Sequence, residues 1–152
     1  MKKIIILAGL VVLLLSCGNN KADRPAAEED SSELPVSWEA NMNDTTGRLE
    51  MIKKEGVGPD SLSPVKMLDY LNTKNANIQL VFKKISGDTL YIEIPEASFL
   101  TRQMGSAGPT MFIAEVVYNL TTLPGINYVH IDFEEGDHAQ PGTFTRDSFT
   151  ND

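Results

Sequence analysis

The chain has 152 residues, with 21 acidic against 13 basic side chains and a formal net charge of −8. So acidic a balance excludes nucleic acid as a partner, because a phosphate backbone is met by a basic patch. The length suits one domain rather than two, and a single cysteine leaves no internal disulfide and no CxxC metal site.

At the N-terminus Lys2 and Lys3 precede an unbroken apolar run from Ile4 to Leu15, followed by Ser16 and Cys17. A charged start, about a dozen apolar residues and a small residue before the cut make a secretory signal. The run falls short of the about 20 residues that a membrane-spanning helix needs. Leu14-Leu15-Ser16-Cys17 resembles the bacterial lipobox, in which the peptide is cut before the cysteine and diacylglycerol is joined to its sulfur. The expected division is a signal peptide over 1–16, a lipidated Cys17 with an acidic tether over 17–35, and a globular domain over 36–152. Processing removes two lysines and no acid, so the remainder gains no electrostatic help on anionic lipid. Two or more acyl chains are then needed to hold it stably. The expected location is the cell envelope, at the outer membrane on its periplasmic or surface side, because Gly18 and not an acid follows Cys17. From Gly18 to Pro35 no apolar period exists to offset the entropy of ordering. Extended at about 3.3 Å per residue, this tether reaches about 50 to 60 Å. Its Glu28-Glu29-Asp30 cluster reads as a solvated spacer, or else as a surface-export signal of the kind some Bacteroidetes lipoproteins carry.

In the globular part, Val36, Trp38, Ala40 and Met42 alternate with polar residues, Asp44-Thr45-Thr46-Gly47 supplies a turn, and RLEMI resumes, which predicts a hairpin. Ser63-Pro64 gives an N-cap and a first-turn proline, and behind it Val65, Leu68 and Leu71 share a stripe with Met67 beside them. Two strands follow, Ile78 to Ile85 and Thr89 to Ile94, joined across Ser86-Gly87-Asp88. Ile78, Leu80 and Phe82 should point one way, as should Leu90, Ile92 and Ile94. Pro109 opens the strongest helix, whose stripe is Ile113, Val116, Val117, Leu120 and Leu123, and Pro124-Gly125 stops it. In a last strand, Ile126 to Glu134, Val129, Ile131 and Phe133 face in while Tyr128, His130, Asp132 and Glu134 face out. Beyond Gly136 the chain reads as irregular, with Phe144 and Phe149 as anchors. The sum is an α+β domain, a small mainly antiparallel sheet with two helices packed on one face.

A strand GDTLYIEIP, a polar segment ending GSAGPT, a helix AEVVYNLTTLPG and a strand INYVHIDFEEG follow one another over 87–142. In this order of parts the chain resembles the GerMN domain of sporulation and spore-germination lipoproteins. The residues that carry most of the likeness are Leu120 to Ile126, Val129 and the closing Glu135-Gly136, with Ser63 to Leu71 matching an earlier helix less specifically. Better-known members hold tandem copies, and the length here admits one. The resemblance implies a βαβ-type module akin to ring-building modules of envelope machines, acting by binding or assembly. It brings no catalytic residue and no cofactor.

Two imidazoles with carboxylates are able to hold zinc, and His130, Asp132 and Glu134 share a strand face with Glu135, Asp137 and His138 just beyond. The same alternation marks any half-exposed strand, and the loop acids lack the spacing of a calcium loop, so no metal is expected. Ser98, Thr101 and Ser106 lack a nucleophile elbow. Arg102 is the one cation near Gly105-Ser106-Ala107-Gly108, a segment that reads as a flexible lead-in more readily than as an anion site at a helix start. The expected binding surface is Tyr128, His130, Asp132, Glu134, His138 and Arg102. It would serve a non-catalytic envelope lipoprotein whose partner is an envelope protein or the cell wall. The alternatives are a metal-dependent envelope hydrolase using His130 and His138, or a binder of peptidoglycan or another glycan.

Overall fold

The computed structural model describes residues 37–54 and 62–150, and local side-chain chemistry sets where their elements begin and end. Strands β1 (Trp38–Met42) and β2 (Leu49–Lys53) form the expected antiparallel hairpin. Asn43 builds its turn, its side-chain oxygen accepting the Thr45 and Thr46 N–H groups at 2.9 Å each. Gly47 completes it at φ 65°, a left-handed value that suits a residue without Cβ.

Helix α1 (Pro64–Lys74) starts where Ser63 Oγ accepts the Lys66 N–H at 3.3 Å, with proline in the first turn as expected. It buries Met67, Leu68 and Leu71, but Val65 is 49 % exposed. At about 100° per residue, Val65 falls roughly 110° from the centre of that buried arc, so it does not share the stripe.

The strand expected from Ile78 begins later, as β3 (Val81–Ser86). The cause is Asn72, whose side-chain amide donates to Leu80 O at 3.0 Å and accepts the Leu80 N–H at 2.7 Å. That clasp uses the backbone groups a strand ladder would need. Ile78 and Leu80 are buried, yet Phe82 is 38 % exposed and does not continue their face. It lies on an edge strand whose register shifts between Phe82 and Lys84.

Strand β4 (Thr89–Glu93) buries Leu90 and Ile92, with Ile94 buried just past its end. A single π-helical turn at Phe99–Gln103 leads into α2 (Gly108–Leu120). All five residues of the expected stripe, Ile113 to Leu123, are buried. Strand β5 (Tyr128–Asp132) is shorter than expected because its ladder with β4 ends at Glu93 and Asp132, after which the Ile94 N–H donates to Asp132 O. The tail read as irregular supplies β6 (Gly142–Phe144) and a 3-10 turn, Arg146–Phe149. Phe144 and Phe149 pack on the core as expected.

The larger sheet runs β3-β4-β5-β6, antiparallel at both outer pairs and parallel between β4 and β5. The β4–α2–β5 crossover is the βαβ unit that parallel neighbours require. Leu90 lies opposite Val129 and Ile92 opposite Ile131, so one face of the central strands is apolar. It joins the buried residues of α1 and α2 in one core. The α+β class stands, and among the described residues no helix covers the sheet's other face.

The hairpin is not part of that sheet; it packs on the outer side of α2. Two strands alone are marginal in water, and here Asn119 of α2 holds them. Its carboxamide is fully buried, accepting the Ser37 and Trp38 N–H groups at 2.9 and 3.1 Å and donating to Trp38 O and Glu115 O at 2.8 Å. Around it, Glu115 accepts the Ala40 N–H at 3.3 Å and pairs with Lys74 at 2.7 Å, while Glu39 pairs with Lys54 at 2.7 Å and Lys74 at 3.4 Å.

Candidate binding surface

Alternation along β5 puts Tyr128, His130 and Asp132 on the open face, and pairing fixes what flanks them. Lys84, Tyr91, His130 and Thr143 lie in register across all four strands. The His130 ring is 5.1 Å from that of Tyr91, the Lys84 ammonium sits 4.7 Å over Tyr91, and His130 Nδ1 is 2.8 Å from Thr143 Oγ1. One row further along, Glu93 lies opposite Asp132, and Lys83 meets Glu93 at 2.6 Å. The Glu93 carboxylate, with a smaller contribution from Asp132, raises the Lys83 ammonium above its usual range. Tyr128 opens the strand beside Thr89 and is 41 % exposed.

Glu134, Arg102 and His138 are elsewhere. Glu134 lies beyond β5 and lines a polar cleft of about 250 Å³ with Arg102, Glu135, Glu96 and Ser98. There the Ser98 side chain and its N–H hold the Glu96 carboxyl below the usual carboxylate range. His138 sits in the turn Gly136–Ala139, closed by a Gly136 N–H to Ala139 O bond of 3.1 Å. Its own N–H donates to Thr101 O at 3.2 Å. Gly136 must be glycine here, since an added Cβ would come within 2.6 Å of Thr101 Cβ. His138 lines a third recess, about 410 Å³, with Asp137, Gln140, Phe144 and Phe149.

The six residues named from sequence therefore occupy three places: Tyr128, His130 and Asp132 on the open face, Glu134 and Arg102 in the polar cleft, and His138 in the third recess. Among the described residues no three of His, Cys, Asp and Glu come close enough to share a metal ion, so a ligand set built on His130 and His138 does not assemble there. Cys17 lies outside the described residues.

Sequence reasoning missed Tyr91 and Thr143 as neighbours of His130, and Lys84 beyond Tyr91. The signal for Tyr91 was the strand–helix–strand order, which makes β4 and β5 parallel neighbours. Arg146 gave no signal at all. Its guanidinium lies 5.2 Å from both the Trp38 and Tyr118 rings, with Nε donating to Thr121 Oγ1 at 2.8 Å and an Nη donating to Tyr118 O at 3.0 Å.

Among protein families, the chain matches Germane, described as sporulation and spore germination, over residues 20–137. The match takes in the hairpin, α1 and the βαβ crossover, so it reaches further toward the N-terminus than the resemblance over 87–142, and it stops before β6. No curated protein and no solved structure matches the chain. With 20–137 of 152 residues covered, the chain belongs to the Germane family and carries its domain once.

Proposed function

We propose that this chain is a non-catalytic binding or assembly module held in the bacterial envelope by a lipid on Cys17, at the outer membrane. The anchor half of the reading rests on the apolar run and the Leu-Leu-Ser-Cys junction. The binding half rests on one observation: a four-stranded sheet whose described helices pack on one side, while the other side presents aromatic, imidazole and charged groups. An envelope protein or the cell wall is the partner this surface serves. Family membership is in keeping with it, since the family is described by sporulation and spore germination and not by a reaction.

Reversing charge at Asp132 on the open face tests it, because the side chain is exposed and an exposed substitution costs about 0.5 kcal/mol or less. Crosslinking in cells should then capture less of the partner while the melting temperature holds. Undiminished capture contradicts the assignment. Stoichiometric zinc in the purified protein, lost on His130→Ala, would favour a hydrolase instead.

A further inference from the structure

We propose that a second cleft, at the foot of β5, binds an uncharged sugar ring of a glycan chain, with Tyr128 as the stacking platform. This deepens the binding reading by naming a ligand class. The cleft has a volume of about 330 Å³ and is walled by Asn127, Tyr128, Thr145, Arg146 and Asp147, with Thr121 behind Arg146. That size falls at the lower end of the about 300 to 1,000 Å³ typical of small-ligand sites.

Tyr128 differs from the other large aromatics with a polar atom. Trp38 packs against Tyr118 and Arg146, and Tyr91 is taken up by His130 and Lys84. Tyr70 is half-buried on the core. Tyr128 alone among the tyrosines is exposed, at 41 %. The C–H face of a pyranose offers such a ring apolar contact while its hydroxyls stay polar, the division an amphipathic aromatic accommodates.

The polar walls choose between ligand charges. Arg146 is fixed before any ligand arrives, by its bonds to Thr121 and Tyr118 and its seat on two aromatic rings. Those bonds use two of its five N–H donors and leave three. Asn127 donates to Asp88 at 3.1 Å, which leaves its amide oxygen as an acceptor. Asp147 brings a carboxylate to the same cleft. With Arg146 and Asp147 both lining it, the cleft carries no net charge and offers a ligand of either sign no overall attraction. Hydroxyl and acetamido groups, which both donate and accept, satisfy both kinds of wall.

The test is a titration of the full-length chain, in a detergent without sugar headgroups, with tetra-N-acetylchitotetraose as probe, followed by saturation-transfer NMR. We expect saturable binding, weakened at least tenfold by Tyr128→Ala, kept within about threefold by Tyr128→Phe, and weakened severalfold by Asn127→Ala. Equal thermal melting of the three variants shows that folding is intact. Absence of saturable binding, or unchanged affinity in Tyr128→Ala, overturns the proposal. So does muramyl dipeptide binding more than tenfold tighter than tetra-N-acetylchitotetraose, because its carboxylate gives it net charge. Failure here leaves the crosslinking result at Asp132 unaffected, so the two readings fail separately.

Discussion

Helix α2 is held on its two sides by different physics. Toward the sheet, Ile113, Val116, Val117 and Leu120 join a continuous apolar core. Toward the hairpin the contact rests on one buried carboxamide, Asn119, one edge-on ring pair, Trp38 with Tyr118, and a chain of charged groups running through Glu115, Lys74 and Glu39. Burial against the sheet is non-directional and shared among many residues. The hairpin seat is directional, and few residues carry it. The first should fail globally when damaged, and the second locally.

The largest expected effect is on the core side. Leu120→Ala removes a fully buried side chain and should cost about 2 to 5 kcal/mol of global stability in urea unfolding. Next comes Asn119→Ala, which strands the Trp38 N–H and Trp38 O and removes one partner of Ser37. A buried polar group left without a partner costs about 1 to 3 kcal/mol. Hydrogen exchange should quicken across β1 and β2 while β4 and β5 stay protected. Equal loss in both regions would contradict the local character of the seat.

A smaller effect follows pH. The Lys54 hydrogen bond, with help from Lys74, holds the Glu39 carboxyl below its ordinary value of 4.5 despite some desolvation. Burial alone would depress the Lys74 ammonium, but Glu115 and Glu39 together outweigh it and raise it above 10.5. The Glu39 contribution is therefore full above pH 4.5 and lost as pH falls through the lowered folded value. The Lys74 contribution is full below pH 10.5 and lost as pH rises through the raised one. Hairpin protection should be flat between those limits and decline outside them, with Glu39→Gln blunting the acid decline. The smallest effect is on the open face, where His130→Ala should change stability by no more than about 0.5 kcal/mol.

The same contrast explains what could be read from the sequence. Periodic features were legible: the α2 stripe, the β5 alternation and the Leu90, Ile92 and Ile94 face, because burial repeats with the element's own period. The Ser63-Pro64 start was legible because capping is local. Single-residue devices were not. Asn119 reads as a polar residue on a helix, and nothing in its neighbours says that a hairpin 81 residues away will close over it. Asn72 likewise moved the start of β3 without any change in hydrophobic pattern. The binding surface was legible along β5 only. Its neighbours Tyr91 and Thr143 depend on strand pairing, and Arg102, Glu134 and His138 went elsewhere once the strand ended at Asp132.

The proposed role depends first on Cys17, and metabolic labelling with palmitate tests it most directly. The wild-type chain should take up label and fractionate with membrane, and Cys17→Ala should lose the label and turn soluble. An unlabelled, soluble wild-type product would contradict the anchor, and with it the envelope placement of the domain.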